Sequence, residues 1–227
     1  MPHVHAHVPH ELTEPHEEED ARPGRTERTL ELVAVVVLSL ATLATAWSGY
    51  QAARWSGEQS QSYARASATR VKAQQQSTLG GQLRIGDVLL FDGWLDAHER
   101  GDTRLADTYE HRFRAEFRPA FEAWLAQRPF TNPDAVPGPQ YMPQYKPATE
   151  TRAAQLDGEA NGLYTEGTEA KTHDDHYILS TVFFAAVLFF AGISLRLLWR
   201  PLRIAVLGMA AVLLTGGLVY VLTLPVA

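Results

Sequence analysis

Cysteine is missing from this 227-residue chain, which excludes a disulfide framework and thiol chemistry. The common catalytic signatures are missing as well. No Gly-x-Ser-x-Gly, His-Glu-x-x-His or Gly-x-x-x-x-Gly-Lys-Ser/Thr occurs, so the usual hydrolase, zinc-protease and P-loop classes have no support. There is no excess of basic residues either. A net charge of −6 spread along the chain argues against a nucleic acid as partner.

Charge is also absent from three long apolar runs, which are the most informative feature of the sequence. The runs cover residues 32–53, 177–195 and 204–227 and contain 22, 19 and 24 residues. A bilayer core about 30 Å thick needs about 20 apolar residues of helix, because lipid cannot satisfy an unpaired backbone amide. We therefore predict a membrane protein that contacts the lipid bilayer through three transmembrane helices. These helices are assigned to residues 30–53, 176–195 and 202–226.

Arginines predict the orientation, because short loops rich in Arg or Lys stay on the cytoplasmic side of a membrane. The arginines that flank the apolar runs are Arg22, Arg25 and Arg28 before the first and Arg196, Arg200 and Arg203 between the second and third. Both groups predict a cytoplasmic N-terminus, with residues 54–175 and the C-terminus outside the cytoplasm. Arginine outnumbers lysine 17 to 3, a bias typical of GC-rich bacterial genomes, so we expect the bacterial inner (plasma) membrane.

Residues 1–29 are predicted to form a disordered cytoplasmic tail, because they are polar and lack an apolar period. The tail is rich in histidine, at His3, His5, His7 and His10. Neutral imidazoles bind Zn²⁺ or Ni²⁺, so a metal-binding tail is one interpretation. The alternative is a solvated tail with no specific role, since no surrounding residues are present to orient the rings.

Small residues recur at three- and four-residue spacing along the first helix and beyond it. They predict a helix-packing seam formed by Ala46, Ala53, Gly57, Ser60, Ala64 and Ser67. Since no proline occurs between residues 49 and 76, we expect the helix to run from about residue 30 to residue 78 and to end at Gly80-Gly81.

A matching period precedes the second apolar run. It is formed by Ala153, Leu156, Ala160, Leu163, Gly167 and Ala170. We predict that the two extensions pair as an antiparallel stalk. The alternative is that the glycines mark turns and that residues 149–170 are partly irregular.

Aromatic residues and prolines lie between the two extensions. An aromatic stripe with helical spacing predicts a core or a packed face: Tyr109, Phe113, Phe117, Phe121 and Trp124. Pro119 should kink or split that helix. Residues 129–147 then contain six prolines and predict an extended strap. The strap either lies over the helices or forms a docking surface for a protein partner.

Two groups of polar residues have the spacing of metal ligands. Asp92, Asp96 and Glu99 share one helix face and could hold a hard cation, although a solvated acidic face explains them as well. His173 and His176 share a face before the second apolar run, where a metal or proton site competes with a plain polar boundary. Neither group predicts a cofactor.

The first apolar run carries hydroxyl and amide side chains. Ser39, Thr42, Thr45 and Gln51 would line a pore if several chains assembled around this helix. The alternative is that these side chains join neighbouring helices. No charged residue lies in any of the three runs, which removes the usual sign of a proton relay or a coupled transporter.

Three segments carry a resemblance to a known group of proteins. They are Ala46-Trp47-Ser48-Gly49-Tyr50-Gln51-Ala52-Ala53-Arg54-Trp55-Ser56-Gly57, Arg112-Phe113-Arg114-Ala115-Glu116-Phe117 and Leu188-Phe189-Phe190-Ala191-Gly192-Ile193. Most of the chain after the tail resembles a family of small bacterial three-span membrane proteins to which no function has been assigned. The resemblance implies one span, a long helical insert and a closing pair of spans, and it implies no activity.

The sequence therefore predicts an all-α membrane protein with three transmembrane helices and an extracytoplasmic helical stalk and cap domain. The leading functional hypothesis is a non-enzymatic scaffold or interaction protein that forms a homo-oligomer. The alternatives are an oligomeric ion channel lined by the first span and a metal-handling accessory protein that uses the histidine-rich tail.

Overall fold

A computed structural model describes residues 25–227 of the chain, and this part is all-α, with no strand in it. Within these residues, five α-helices follow one another. They are α1 (Arg25–Glu99), α2 (Thr103–His111), α3 (Arg118–Ala126), α4 (Ala148–Ser194) and α5 (Arg200–Thr223). A short 3₁₀ turn at Pro139–Tyr141 lies between α3 and α4.

Three of these helices, α1, α4 and α5, are long and apolar enough to cross a membrane. Large apolar side chains on them face outward, among them Leu43, Val212 and Leu222. Contact with lipid tails removes the cost of exposing such side chains to water. The prediction of three membrane-spanning helices agrees with this result.

α1 begins earlier than the sequence predicts. Its first turn is Arg25–Arg28, so residues 25–29 are helical although they belong to the segment predicted to be disordered. Two contacts occur in this turn: Thr29 Oγ1 donates to the Arg25 carbonyl at 2.9 Å, and Glu27 forms an ion pair with Arg200 at 3.5 Å. The four tail histidines, His3, His5, His7 and His10, lie outside the described residues.

The chain divides into two compact units. The first comprises the described residues up to Ala44 together with Phe183–Gly217. Each helix in this unit buries residues at three- and four-residue spacing: Ala34, Val37 and Ala41 on α1, Phe184, Val187 and Ala191 on α4, and Leu207, Ala210 and Leu214 on α5. A Cβ at Gly217 would lie 2.8 Å from the Phe184 ring, so this glycine allows α4 and α5 to approach closely.

The second unit comprises Thr45–Val182 and Leu218–Ala227. Within it, α1 and α4 run antiparallel, because their contacts pair ascending positions on α1 with descending positions on α4. Trp55 contacts His173, Tyr63 contacts Tyr164, and Arg84 contacts Glu150. α4 is continuous over residues 149–170, so the glycines there do not mark turns.

The prediction that α1 ends at Gly80-Gly81 is wrong. The helix continues to Glu99. Gly80 is buried, and a Cβ there would lie 2.9 Å from Thr149 Oγ1 at the start of α4. A glycine inside a helix costs about 1 kcal/mol relative to alanine. Close packing against the first turn of α4 offsets that cost, so this glycine permits contact between two helices and does not terminate one.

The end of α1 packs with α2, α3 and the strap (residues 129–147) around an aromatic core, and we call this assembly the cap. The aromatic members of this core are Phe91, Trp94, Phe113, Phe117, Phe121, Trp124 and Tyr145. Several rings meet edge to face; Phe91 and Trp124, for example, have centroids 5.0 Å apart at 90°. Pro119 lies in the first turn of α3, and the helix is interrupted between the end of α2 at His111 and the start of α3 at Arg118. The predicted split of the helix is therefore confirmed.

The proline-rich strap lies over this core, one of the two outcomes that the sequence leaves open. Trp124 Nε1 donates to the Val136 carbonyl at 2.8 Å, and the Val136 amide donates to Gln127 Oε1 at 3.2 Å. Pro139 and Pro147 are buried. The strap therefore completes the fold of the second unit.

Candidate functional site

The face of α1 that contacts α4 is built around Tyr63. Its ring stacks on Tyr164 at 5.1 Å, and its hydroxyl lies 3.3 Å from Thr168 Oγ1. Gly167 leaves room for this ring, since a Cβ there would lie 2.5 Å from Tyr63 Cδ1. On either side of Tyr63, α1 buries Ser62, Ala66, Thr69 and Ala73. This contact fixes the register of the antiparallel pair.

Polar contacts join the same two helices. Arg70 Nη2 donates to Asn161 Oδ1 at 2.8 Å, and the Arg70 guanidinium lies 5.8 Å from the centre of the Tyr164 ring. Arg84 and Glu150 form an ion pair at 2.6 Å with both side chains nearly half exposed. Exposed pairs of this kind contribute less than about 1 kcal/mol, so they set the register more than they stabilise the contact.

The predicted packing series on α4 lies on this contact face. Leu156, Ala160, Gly167 and Ala170 are buried, and Ala153 and Leu163 are partly buried. α4 therefore uses the face that its small and apolar residues predict.

The predicted seam on α1 lies elsewhere. Its six residues, Ala46, Ala53, Gly57, Ser60, Ala64 and Ser67, are all exposed in the structure. A Cβ at Gly57 would meet nothing within 4 Å. The seam continues along α1 into larger exposed apolar side chains, at Val71, Ile85 and Leu89. We call the exposed residues Gly57, Ser60, Ala64, Ser67, Val71, Ile85 and Leu89 the open stripe.

A second group of residues holds the end of α5 against α1 and α4. The Pro225 carbonyl accepts hydrogen bonds from Trp55 Nε1 at 3.2 Å and from the Tyr177 hydroxyl at 3.1 Å. Gln51 Oε1 accepts from the Ala227 amide at 3.1 Å, and the Gln51 side chain is buried. These polar groups join three segments of the second unit.

His173 and His176 make different contacts in the structure. The His173 ring packs against Trp55 at 4.6 Å, and its Nδ1 is buried without a hydrogen-bond partner. His176 Nδ1 lies 2.8 Å from the Tyr220 hydroxyl. Next to His173, burial and, to a smaller degree, the Asp175 charge raise the pKa of Asp174. The two rings therefore have different partners.

The three carboxylates near the end of α1 are exposed. Asp96 forms an ion pair with Arg100, while Asp92 and Glu99 face outward. Within residues 25–227, no group of three histidine, aspartate or glutamate side chains is arranged to hold a metal ion. The geometry thus places these residues on a solvated face.

The four residues predicted to line a pore differ in their surroundings. Ser39 and Thr42 are exposed, and their hydroxyls donate to the carbonyls of Val35 and Leu38, each at 2.8 Å. Thr45 is partly buried and Gln51 is buried. Hydroxyls that donate to their own helix still present lone pairs outward, but Gln51 is already bonded inside the chain.

A buried acidic residue, Asp87, was not predicted from the sequence. The side chain is 1% exposed, and its Oδ2 accepts from Arg114 Nη1 at 3.0 Å and from the Tyr145 hydroxyl at 2.8 Å. Arg114 also pairs with Glu116. Glu116 in turn accepts from the Ala148 amide at 3.2 Å, at the start of α4. One signal was present in the sequence: Asp87, Phe91 and Trp94 share the spacing of a single buried helix face.

Opposing effects act on the pKa of Asp87. Burial raises the pKa of the Asp87 carboxyl, while the Tyr145 hydrogen bond and the Arg114 charge act to lower it. Burial and the bond to Asp87 raise the pKa of the Tyr145 hydroxyl. Oδ1 of Asp87 is buried and has no hydrogen-bond partner. This network ties α1, the α2–α3 connection, the strap and α4 together.

Comparisons of the chain with protein-family models, curated proteins and solved structures find no match. The fold itself defines the class to which the protein belongs. It is an all-α protein with three helices that are long and apolar enough to cross a membrane.

Proposed function

We propose that the protein is a non-enzymatic membrane scaffold or interaction protein that assembles with copies of itself. The observation that carries this proposal is the open stripe. α1 packs against α4 with one face, while Val71, Ile85 and Leu89 remain more than half exposed on another. These three side chains lie outside the apolar run of α1, so lipid tails do not cover them. Covering them with protein removes apolar surface from water.

The orientation proposed from the flanking arginines places this surface outside the cytoplasm. In this arrangement the three spans anchor the chain in the bacterial inner membrane, and residues 54–175 form a stalk and cap. The aromatic core and the Asp87 network make the cap a folded module. The strap, with Tyr141 exposed at its surface, is the second contact region that we propose for a protein partner.

The ion-channel alternative has less support. Of its four proposed lining residues, two hydroxyls donate to their own helix, and Gln51 is buried and bonded to the Ala227 amide. A pore would need several chains in any case. Self-assembly is therefore common to both proposals and is the property to measure first.

The test compares the assembled mass of two variants in detergent, by light scattering with the detergent contribution subtracted. The double variant Gly57→Leu with Ala64→Leu places bulk on the open stripe. The matched control, Ala154→Leu with Gly158→Leu, places the same bulk on exposed positions of α4. We expect the first variant to lose mass relative to the unmodified protein and the control to keep it. An unchanged mass for the stripe variant, with the protein assembled, would contradict a role for the stripe.

A further inference from the structure

The open stripe is part of a longer uncharged surface with a seven-residue period. Gly57, Ala64, Val71, Thr78 and Ile85 are spaced seven residues apart, and all five are exposed. Ten flanking positions lie three and four residues after them. These are Ser60, Gln61, Ser67, Ala68, Gln74, Gln75, Gly81, Gln82, Val88 and Leu89. All are exposed except Val88, which is partly buried. Residues seven apart lie on nearly the same side of a helix, and this is the spacing at which residues face a partner helix in a coiled coil.

None of these fifteen positions carries a charge, although charged residues are frequent in the same segment. Residues 57–89 contain six charged side chains: Glu58, Arg65, Arg70, Lys72, Arg84 and Asp87. Arg70 and Arg84 contact α4, and Asp87 is buried in the cap. The other three lie beside the stripe. This exposed helix face carries no charge over 33 residues, about 50 Å at 1.5 Å per residue. It includes the exposed apolar side chains Val71, Ile85 and Leu89, which are typical of a protein contact.

The absence of charge on this surface favours one kind of binding partner. A partner with acidic or basic side chains gains no ion pair here, whereas an uncharged stripe meets its own copy without repulsion. Glutamine amides both donate and accept hydrogen bonds, so Gln61, Gln75 and Gln82 can pair across two copies. Val71, Ile85 and Leu89 supply the apolar area. A second copy of α1 therefore complements this surface.

The membrane sets the direction of the contact. All copies that insert with the same topology present α1 in the same direction, so two α1 helices that meet along this surface run parallel. Heptad-spaced residues remain in contact when the helices wind into a left-handed supercoil, with equivalent positions facing each other. Small residues at Gly57 and Ala64 permit close approach at one end, and Val71 and Ile85 fill the other.

We infer that α1 of one copy packs in parallel and in register against α1 of a second copy through the positions 57, 64, 71, 78 and 85. This inference rests on the proposed self-assembly and adds the surface, the partner and the register. It predicts that each of these residues lies opposite its own equivalent.

The chain contains no cysteine, so single cysteines can test the register directly. Val71→Cys and Ile85→Cys place a thiol on the stripe, and Lys72→Cys places one on an exposed neighbouring position as a matched control. The full-length variants are oxidised in membranes, and the dimer is measured on non-reducing gels. A disulfide needs its two Cβ atoms about 3.5–4.5 Å apart. We expect at least a tenfold higher dimer yield at positions 71 and 85 than at position 72.

Two further outcomes separate this inference from the proposed function. Co-expressed Val71→Cys and Ile85→Cys chains with tags of different size should form only like-with-like dimers, because positions 71 and 85 are about 21 Å apart along the helix. A mixed 71–85 disulfide would overturn the register. An assembled protein with no excess at position 71 over position 72 would overturn the inference and leave self-assembly standing. A monomeric protein would overturn both.

Discussion

Asp87 and Tyr145 are 58 residues apart in the sequence and meet in the cap, where the tyrosine hydroxyl donates to the buried carboxylate at 2.8 Å. Arg114 donates to the same oxygen at 3.0 Å. The contact ties the strap to the end of α1 and therefore closes the cap. Because one charged group connects three segments, the stability of the cap depends on the protonation of Asp87.

The first prediction concerns pH. Burial raises the pKa of Asp87 in the folded protein, so the folded state binds this proton more tightly than the unfolded state does. The contribution of Asp87 to stability is thus largest below its unfolded pKa, near 3.8, and falls as the pH rises through the folded pKa. Asp87→Asn removes this titration. The stability of the unmodified protein relative to Asp87→Asn should fall as the pH rises from about 4.

Thermal unfolding of both proteins in the same detergent, at a series of pH values, checks this sign. Glu116, Arg84 and Glu150 also carry charge near this network, but both proteins contain them, so the difference isolates Asp87. A relative stability that increases with pH would show that the arginine and tyrosine contacts dominate over burial.

The second prediction concerns the Tyr145 hydroxyl. Tyr145→Phe removes one of the two donors to a carboxylate that is 1% exposed. Hydrogen bonds to charged groups contribute about 1.5–3 kcal/mol, and we expect a loss of unfolding free energy in that range. Tyr141→Phe is the matched control, because Tyr141 is exposed and the change should stay within about 0.5 kcal/mol. Equal effects of the two substitutions would contradict a specific role for the bond.

The third prediction uses two glycines of α4 that differ in their surroundings. A Cβ at Gly167 would press on the Tyr63 ring, whereas a Cβ at Gly162 would meet nothing within 4 Å. Gly162→Ala should therefore stabilise the protein by up to about 1 kcal/mol through helix propensity. Gly167→Ala should destabilise it, because the Tyr63–Tyr164 stack must shift. Chemical unfolding of both variants gives the two signs, and the same sign for both would contradict this register of the α1–α4 contact.

The fourth prediction concerns orientation. Lys146→Cys lies in the segment proposed to be outside the cytoplasm, and Leu198→Cys lies in the short connection between α4 and α5, where the side chain is fully exposed. In right-side-out membrane vesicles, an impermeant maleimide should label the first variant and not the second. Both should react after detergent is added. Labelling of Leu198→Cys alone in intact vesicles would reverse the proposed topology.

The sequence was sufficient to predict those structural features that depend only on residues close together in the chain. Uncharged runs of about 20 residues predicted the three membrane-compatible helices, because the requirement for apolar length is independent of tertiary contacts. The aromatic spacing predicted the core residues Phe113, Phe117, Phe121 and Trp124, although Phe113 and Phe117 lie in the connection between α2 and α3 and not in a helix. Pro119 marked the break between α2 and α3, since proline restricts the backbone wherever it occurs.

Features that depend on a distant partner were not predictable. Gly80 has no local sign that Thr149 packs against it, so a helix end was the natural expectation. The period of small residues on α1 predicted one contact face. The face that contacts α4 is a different one, which is determined by the Tyr63 ring and by the room that Gly167 leaves for it. The spacing of Asp87, Phe91 and Trp94 indicates a buried helix face, but only the fold brings Arg114 and Tyr145 to the Asp87 carboxylate.

The most direct test of the account is the mass of the unmodified protein in a nanodisc, measured by native mass spectrometry with the lipid and belt contributions subtracted. We expect an integer multiple of the subunit mass, with two copies as the smallest assembly. A closed ring of four or more copies would keep self-assembly and would make ion conductance the next measurement. A single copy per disc, at concentrations where the protein remains folded, would contradict the proposed scaffold function.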